Sequence, residues 1–487
     1  MKQVFALLLA VCACGDAAKP SEPRRELKNV ARDRCRELEA EVGPLVTPPL
    51  ADEELCAHVE GLMETLGGSN EALRRLAREE LVVIGSAAVP LVAAWLTETT
   101  APAAQRIASA EVLGAIDTRE AAQALLERVE WMRVRVDDEP WMRAHSAWQL
   151  GSGTQDWVVP RLLLHLRYET DHETVLWLAT TLAHFGNYAG LEALYVVAHG
   201  ARTVELRDAA AATIAKLAAD RGFDDGAQLH RAWNEGDPDH RLPDAELSAA
   251  HQLEVWRIIQ GFSEWQLRGV DDGRFVLQRE HSRVAPLLAD ALADVDRYVR
   301  THAAQALERM GRRASAAGPA LLEALDDAQT APQVAITLGS VGYEVSESAL
   351  IARLEPSRPL ELRVAAAKAL GRLGMPSSAG ALEKLFGDSE PLDLRVAAAC
   401  ARVLCSPADA ARATVELLLH HLTSADVESG GPETALGAWL LARSTDDLPF
   451  QTALEAWSKT PADDPAQRVS ERAQALRSAL DGLFAVR

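Results

Sequence analysis

The chain has 487 residues, of which 48% are hydrophobic but only 5% aromatic, and a formal net charge of −21. That length and apolar content bury a large core, which excludes disorder. The acidity excludes a nucleic-acid binder, because a phosphate backbone is repelled at long range. Most apolar residues are Ala, Leu and Val, which favours packed helices over sheets. No apolar run is expected to approach the ~20 residues of a membrane span.

Residues 1–15 read MKQVFALLLAVCACG. Lys2 supplies a positive start, and Val4 to Ala13 is a short apolar segment, suited to an export signal and too short to span. Val11-Cys12-Ala13-Cys14 resembles the lipobox of bacterial lipoproteins, with Cys12 as a departure from the usual pattern. The resemblance implies a signal peptide over 1–13, cleavage before Cys14 and lipid attachment at Cys14. It implies anchoring in the bacterial cell envelope, at the outer membrane or periplasm or on the cell surface. Two or more acyl chains suffice for stable anchoring. Residues 14–23 are small, polar and Pro-containing, like a tether.

Residues 24–66 hold two helical patterns, around Cys35 and Cys56, separated by GPLVTPPL. They are expected to form an N-terminal hairpin that caps the first repeat. An oxidising compartment permits a Cys35–Cys56 disulfide between its helices; two buried thiols are the alternative. Cys400 and Cys405 stand five apart. Within one straight helix the axial rise alone is about 7.5 Å, beyond the ~7 Å limit for a bridge. A Cys400–Cys405 disulfide therefore requires the helix to end near Leu404. No cysteine spacing is a zinc pattern.

The strongest signal is an internal repeat. RRLAREELVVIG (74–85), VRTHAAQALERMG (299–311), LRVAAAKALGRLG (362–374) and LRVAAACARVLC (394–405) share one register. Counting the Arg as position zero, it recurs at Arg74, Arg106, Arg143, Val175, Arg207, Arg300, Ala331, Arg363 and Arg395. The usual step is about 32 residues, and one step of 93 holds an insertion of about 61. Position +4 is Ala except at Arg78, +7 is Leu or Ile except at Arg402, and +3 is mostly small. These positions share one helical face. Small residues let neighbouring helices approach, and the Leu fills the gap one turn on. Between these copies lie first-helix segments such as 87–96, 156–166 and 283–292, several with Pro in the first turn. Gly85, Gly186, Gly311, Gly342 and Gly374 suit C-caps. The arginines at position zero are expected to pair with acidic residues near helix ends, such as Asp294, Asp296, Glu361 or Asp393.

In these second helices and Pro-containing first helices the chain resembles the HEAT-like repeat family, in its short, PBS-lyase-type form. The resemblance implies an all-α fold, an α-solenoid of HEAT-like helical repeats with one inserted segment. Repeats cover 70–219 and 283–425, the inserted segment is 220–282, and residues 430–487 read as a C-terminal helical cap. The family implies a scaffold that binds proteins or peptides; some relatives handle bilin chromophores. Second helices line the concave surface in such solenoids.

Positions +2, +5 and +9 point away from the core. In two adjacent copies they include His145 and Trp148, then Trp177 and His184, residues that would form an aromatic patch on neighbouring helices. Exposed Trp is a common binding hot spot. The alternative is that these rings are covered by the insertion or by their own first helices. Within the insertion, Trp233, Trp256 and Trp265 are further candidate anchors, because insertions in repeat arrays often project from the binding face; a bridging mini-domain is the alternative. SAAHQLEVWRIIQGFSEW reads as a helix, and the Asp-Gly of WQLRGVDDGRFVLQ suggests a short β-hairpin.

No catalytic motif, metal-ligand set or cofactor signature is present. The expected function is that of a non-catalytic, membrane-anchored protein-binding scaffold, with no cofactor, no metal and no nucleic acid. A structural envelope protein without a discrete site, or a chromophore- or small-ligand-handling enzyme using the insertion, are the alternatives.

Overall fold

A computed structural model describes residues 27–45, 53–98, 100–130, 139–235, 242, 246–263, 267–387 and 389–405. The signal peptide, the whole tether with Cys14, Trp265, residues 406–425 of the second repeat block and the C-terminal cap lie outside the described residues. Among the described residues the chain is helical, without a strand.

The first two helices are α1 (Val30–Val42) and α2 (Glu53–Leu66). Every position-zero residue found in the sequence then falls on a second helix. In the first block these are α3 (Glu71–Ile84), α5 (Ala103–Ile116), α7 (Pro140–Leu150), α9 (His172–His184) and α11 (Val204–Asp220). First helices α4 (Val89–Thr97), α6 (Arg119–Val129), α8 (Val159–Leu166) and α10 (Leu191–Gly200) alternate with them. The insertion contributes α12 (Gly226–Glu235), α13 (Ala249–Gln260) and α14 (Leu267–Glu280). In the second block the second helices are α16 (Arg297–Met310), α18 (Ala331–Val341), α20 (Leu360–Leu373) and α22 (Leu392–Cys405). Their first helices are α15 (Ala285–Ala291), α17 (Gly318–Ala324), α19 (Glu347–Ala352) and α21 (Ala379–Glu383). The molecule is an all-α solenoid of paired helices.

The register explains the packing. Position +7 is buried in Leu81, Leu113, Leu150, Leu182, Ile214, Leu307, Leu338 and Leu370. Position +4 is fully buried in Ala110, Ala147, Ala304, Ala335 and Ala367. Pro90, Pro160, Pro286 and Pro319 stand in the first turns of α4, α8, α15 and α17, where a missing N–H costs nothing.

One stretch, Glu71–Thr97, is long and apolar enough to cross a membrane by length and composition, contrary to the sequence expectation. Gly85 divides it. Its φ of +68° and ψ of −136° are not helical, so the stretch is two helices, α3 and α4, that pack with α5 and its neighbours.

The arginines at position zero link successive repeats. Arg106 forms an ion pair with Glu139, which Arg128 shares at 3.0 Å. Arg143 Nε donates to Glu169 Oε2 at 3.1 Å, Arg300 Nε to Asp327 Oδ2 at 2.9 Å and Arg363 Nη2 to Glu390 Oε1 at 2.8 Å. Each acid lies in the loop that leads to the next second helix. None of the four acids expected from sequence takes this role; Asp294 contributes its backbone carbonyl to Arg300 at 2.8 Å. Glu169 is fully buried and also accepts from His165 and from the amides of Thr170 and Asp171. Burial opposes its charge, but these bonds and Arg143 outweigh it and hold the carboxyl down at about 2.

Among the described residues the solenoid has two hydrophobic cores rather than one. The first runs from Val59 to Trp233. The second joins Ala31 and Cys35 to residues from Leu253 to Cys405. Helix α14 stands between them: Val276 belongs to the first core and Leu277 to the second. The inserted segment therefore does not project from one continuous array. It joins two arrays, with α13 and α14 packed on α8 and with α14 also packed on α16.

Three sequence expectations are corrected here. Residues 267–280 form a helix, not a hairpin. Gly273 packs there because its bare Cα lies close to Ile258 and Phe262; a Cβ would come within 2.8 Å of Ile258 Cγ2. Secondly, α1 and α2 do not form a capping hairpin. α1 packs on α13 and α15, while α2 packs on α3. Ala31 N donates to Asp294 Oδ2 at 2.8 Å, and Lys28 pairs its backbone with Asp294.

The third correction concerns the disulfides. Cys35 is a free buried thiol of the second core, so the Cys35–Cys56 bridge is not formed. Burial, with Glu39 nearby, pushes its pKa up to about 11. Cys405 is also free, and α22 continues through both Cys400 and Cys405, so that bridge is not formed either. The Cys405 thiol donates to Leu370 O at 3.6 Å.

Candidate protein-binding face

Three of the predicted residues come together. Trp148 on α7 is 45% exposed. Its ring lies 5.5 Å from that of Trp177 on α9, tilted by 37°, and 5.2 Å from His145, edge-on. Adjacent second helices place them so because Trp148 is at +5 of one copy and Trp177 at +2 of the next. Trp177 is half-buried against the first core, which fixes the platform on which Trp148 stands. Burial lowers the pKa of His145, which keeps the imidazole neutral at pH 7. Gln149 lies 3.4 Å from its Nε2. His184 is exposed at the end of α9, hydrogen-bonded to Gly153 O at 3.2 Å and edge-on to Phe185. It adds a second ring pair at the C-terminal end of α9.

The insertion's tryptophans behave differently. Trp256 is 1% exposed and lies inside the second core. Trp233 is buried, stacked 4.0 Å from His281 and edge-on to Tyr188. Both are packing residues rather than surface anchors, because their helices are covered by neighbouring elements on the faces that carry them.

The joint between arrays holds a polar cluster that sequence reasoning missed. His251 is fully buried, with Nε2 3.0 Å from Glu280 Oε1 and Nδ1 3.3 Å from Asp156 Oδ2. Burial opposes its charge, but Glu280 and Asp156 outweigh it and raise the imidazole pKa to about 9. Asn187 donates to Arg279 O at 3.2 Å, and Arg167 pairs with Asp271 at 2.8 Å and Asp272 at 3.0 Å. These residues lie 29 to 105 positions apart in sequence, and no local spacing signals them.

Among the described residues, grooves open at the surface in two places relevant to binding. One of about 280 Å³ lies between α8, α13 and α14, lined by Pro160, Arg161, Leu164, Glu254, Ile258 and Asp272. The other, of about 800 Å³, lies between α3 and α5. Among the described residues no group of three or more His, Cys, Asp or Glu is placed to hold a metal ion.

Residues 318–405, covering α17 to α22, match the family model for HEAT repeats. No curated protein matches the chain. Among solved structures, human deoxyhypusine hydroxylase in complex with glycerol is 18% identical, with 72% of this chain and 96% of that chain covered and a TM-score of 0.21. Importin beta is 12% identical, with 88% and 63% covered and a TM-score of 0.33. The C-terminal fragment of the Chaetomium thermophilum cohesin loader SCC2 is 14% identical, with 99% and 42% covered and a TM-score of 0.33. The chain thus spans less than two thirds of the latter two. Residues 318–405 thus carry HEAT repeats, and the same register and helix pairing recur among the described residues of the first block.

Proposed function

We propose that this chain is a non-catalytic, lipid-anchored scaffold of the bacterial envelope that binds another protein on the exposed face of its second helices. The observation that carries the reading is Trp148: a large ring, 45% exposed, supported by Trp177 on a rigid pair of helices. Such preorganised aromatic anchors dominate binding energy when a partner covers them. The lipobox-like Val11 to Cys14 supports the anchor.

Replacement of Trp148 and Trp177 by Ala tests the face. The expected result is loss of partner crosslinking from the intact lipoprotein in its own membrane. Unchanged crosslinking with a large fall in melting temperature assigns the rings to packing instead. Labelling with radioactive palmitate tests the anchor, with incorporation expected in the wild type and lost in Cys14→Ser. No Cys14-dependent incorporation removes that part of the proposal.

A further inference from the structure

The first repeat lacks a contact that four other repeats make. Arg106, Arg143, Arg300 and Arg363 each take a carboxylate from the loop before the next second helix. Arg74 occupies the same register position on α3, is exposed, and its side chain has no ion pair or hydrogen bond among the described residues. The following loop does carry an acid, Glu98. Its carboxylate instead accepts from the Thr100 amide at 3.0 Å and the Thr100 hydroxyl at 2.7 Å.

Where the carboxylate is missing, the structure has the groove of about 800 Å³ between α3 and the first turns of α5. Arg74, Arg75 and Arg78 line it, with Leu66, Ile107 and Ala108 as apolar wall. Arg78 takes the +4 position that Ala holds in the other copies and lines the groove. Arg78 is already paired with Glu111, and Arg75 with Glu79. Arg74 is thus the uncommitted cation. Glu111 stands in the +5 column that holds Trp148 on α7, so the groove opens on the same face as the aromatic pair.

We propose that this groove receives a Glu or Asp side chain, flanked by aliphatic residues, from a partner protein. That carboxylate takes the place on Arg74 which the loop acids fill on Arg106, Arg143, Arg300 and Arg363. The wall residues Glu71 and Glu111 and the net charge of −21 disfavour a polyanion such as nucleic acid. A single carboxylate beside apolar side chains matches both the free guanidinium and the aliphatic wall. The inference rests on the protein-binding reading of this face and adds the chemistry of the partner.

The test uses the full chain and a labelled helical peptide with leucines at helical spacing and glutamates between them. Its glutamine counterpart is the control. Fluorescence anisotropy is expected to show saturable binding of the acidic peptide, weakened about tenfold or more by the glutamine exchange or by Arg74→Gln, the scale of one charge-assisted bond. Arg74→Lys is expected to retain part of the binding. Ala104→Glu, which supplies a carboxylate to the groove from α5, is expected to weaken binding without lowering the melting temperature. Equal binding of the two peptides, unchanged binding by a folded Arg74→Gln protein, or displacement of the peptide by an oligonucleotide overturns the proposal. So does the absence of saturable binding. The assay uses neither the natural partner nor the aromatic pair, so its failure is separable from failure of the aromatic-face reading.

Discussion

In the second array, α18 and α20 approach so closely that a Cβ on Gly339 would stand 2.6 Å from Ala369 Cα. In the first, Arg78 stands at +4 of α3 and lines, with residues of α5, a groove of about 800 Å³. One register runs through both. Where the small residue at +4 and the Leu at +7 are kept, these columns are buried between neighbouring helices. Where Arg78 replaces the small residue at +4, a groove with an unpaired Arg74 side chain lies beside it, whereas Trp148 and Trp177 stand in the outward columns of copies that keep Ala147, Ala179, Leu150 and Leu182 buried. The regular positions build the solenoid, and the proposed binding residues stand outside its packed columns.

The comparison can be broken most forcefully at the buried parts of each array. Glu169→Ala strands Arg143 and His165 without their shared acid, both nearly inaccessible to solvent. The expected cost is about 3–5 kcal/mol in chemical denaturation. Trp256→Ala, in the second core, is expected to cost a similar ~3–5 kcal/mol. A loss well below 1 kcal/mol in either variant contradicts its assignment as packing.

The joint between the arrays gives a pH-dependent test. His251 has its pKa raised from 6.5 to about 9. Its contribution to stability is therefore complete below pH 6.5 and is lost as pH rises through about 9, on the order of a few kcal/mol. The melting temperature should fall between pH 7 and 10 in the wild type, and His251→Gln should flatten that fall. An identical slope in both proteins removes His251 as the link. Glu169 has the opposite sign: its contribution is present above pH 4.5 and is lost as pH falls through about 2.

Glycine exchanges sharpen the contrast at smaller scale. Gly339→Ala meets Ala369 and is expected to destabilise by about 1–3 kcal/mol. Gly61→Ala on α2 meets nothing within 4 Å and is expected to stabilise by about 0.5–1 kcal/mol. Equal effects would show that the close approach in the second array is not a packing constraint. Trp148→Ala is the mildest, at about 1 kcal/mol or less, because the ring is 45% exposed.

The repeat itself was legible in sequence, since one local pattern encodes each second helix and Pro and Gly mark many of its borders. Trp148 and Trp177 were legible too, because their columns follow from that register. The joint was not. α14 looks like a hairpin through Asp272-Gly273, yet Gly269, 31 residues before Arg300, continues the register with a small residue at +4 (Gly273) and Val276 at +7. That phase was the signal available. The seat of α1 depends on Ala31 and Cys35 meeting a core more than 200 residues away, which no local pattern encodes. The disulfides failed for the same reason: cysteine spacing states what a bridge needs, not which helices become neighbours.

The central claim is that outward-facing aromatic and charged residues of the first array, not those of the regular stack of the second, form the proposed partner surface. Its most direct test places a photo-crosslinking amino acid at position 148 or at position 368, both in the +5 column, in the full chain in its native envelope. The account predicts a discrete protein adduct from 148 and none from 368. Adducts from 368 alone, or the same adducts from both positions, contradict it.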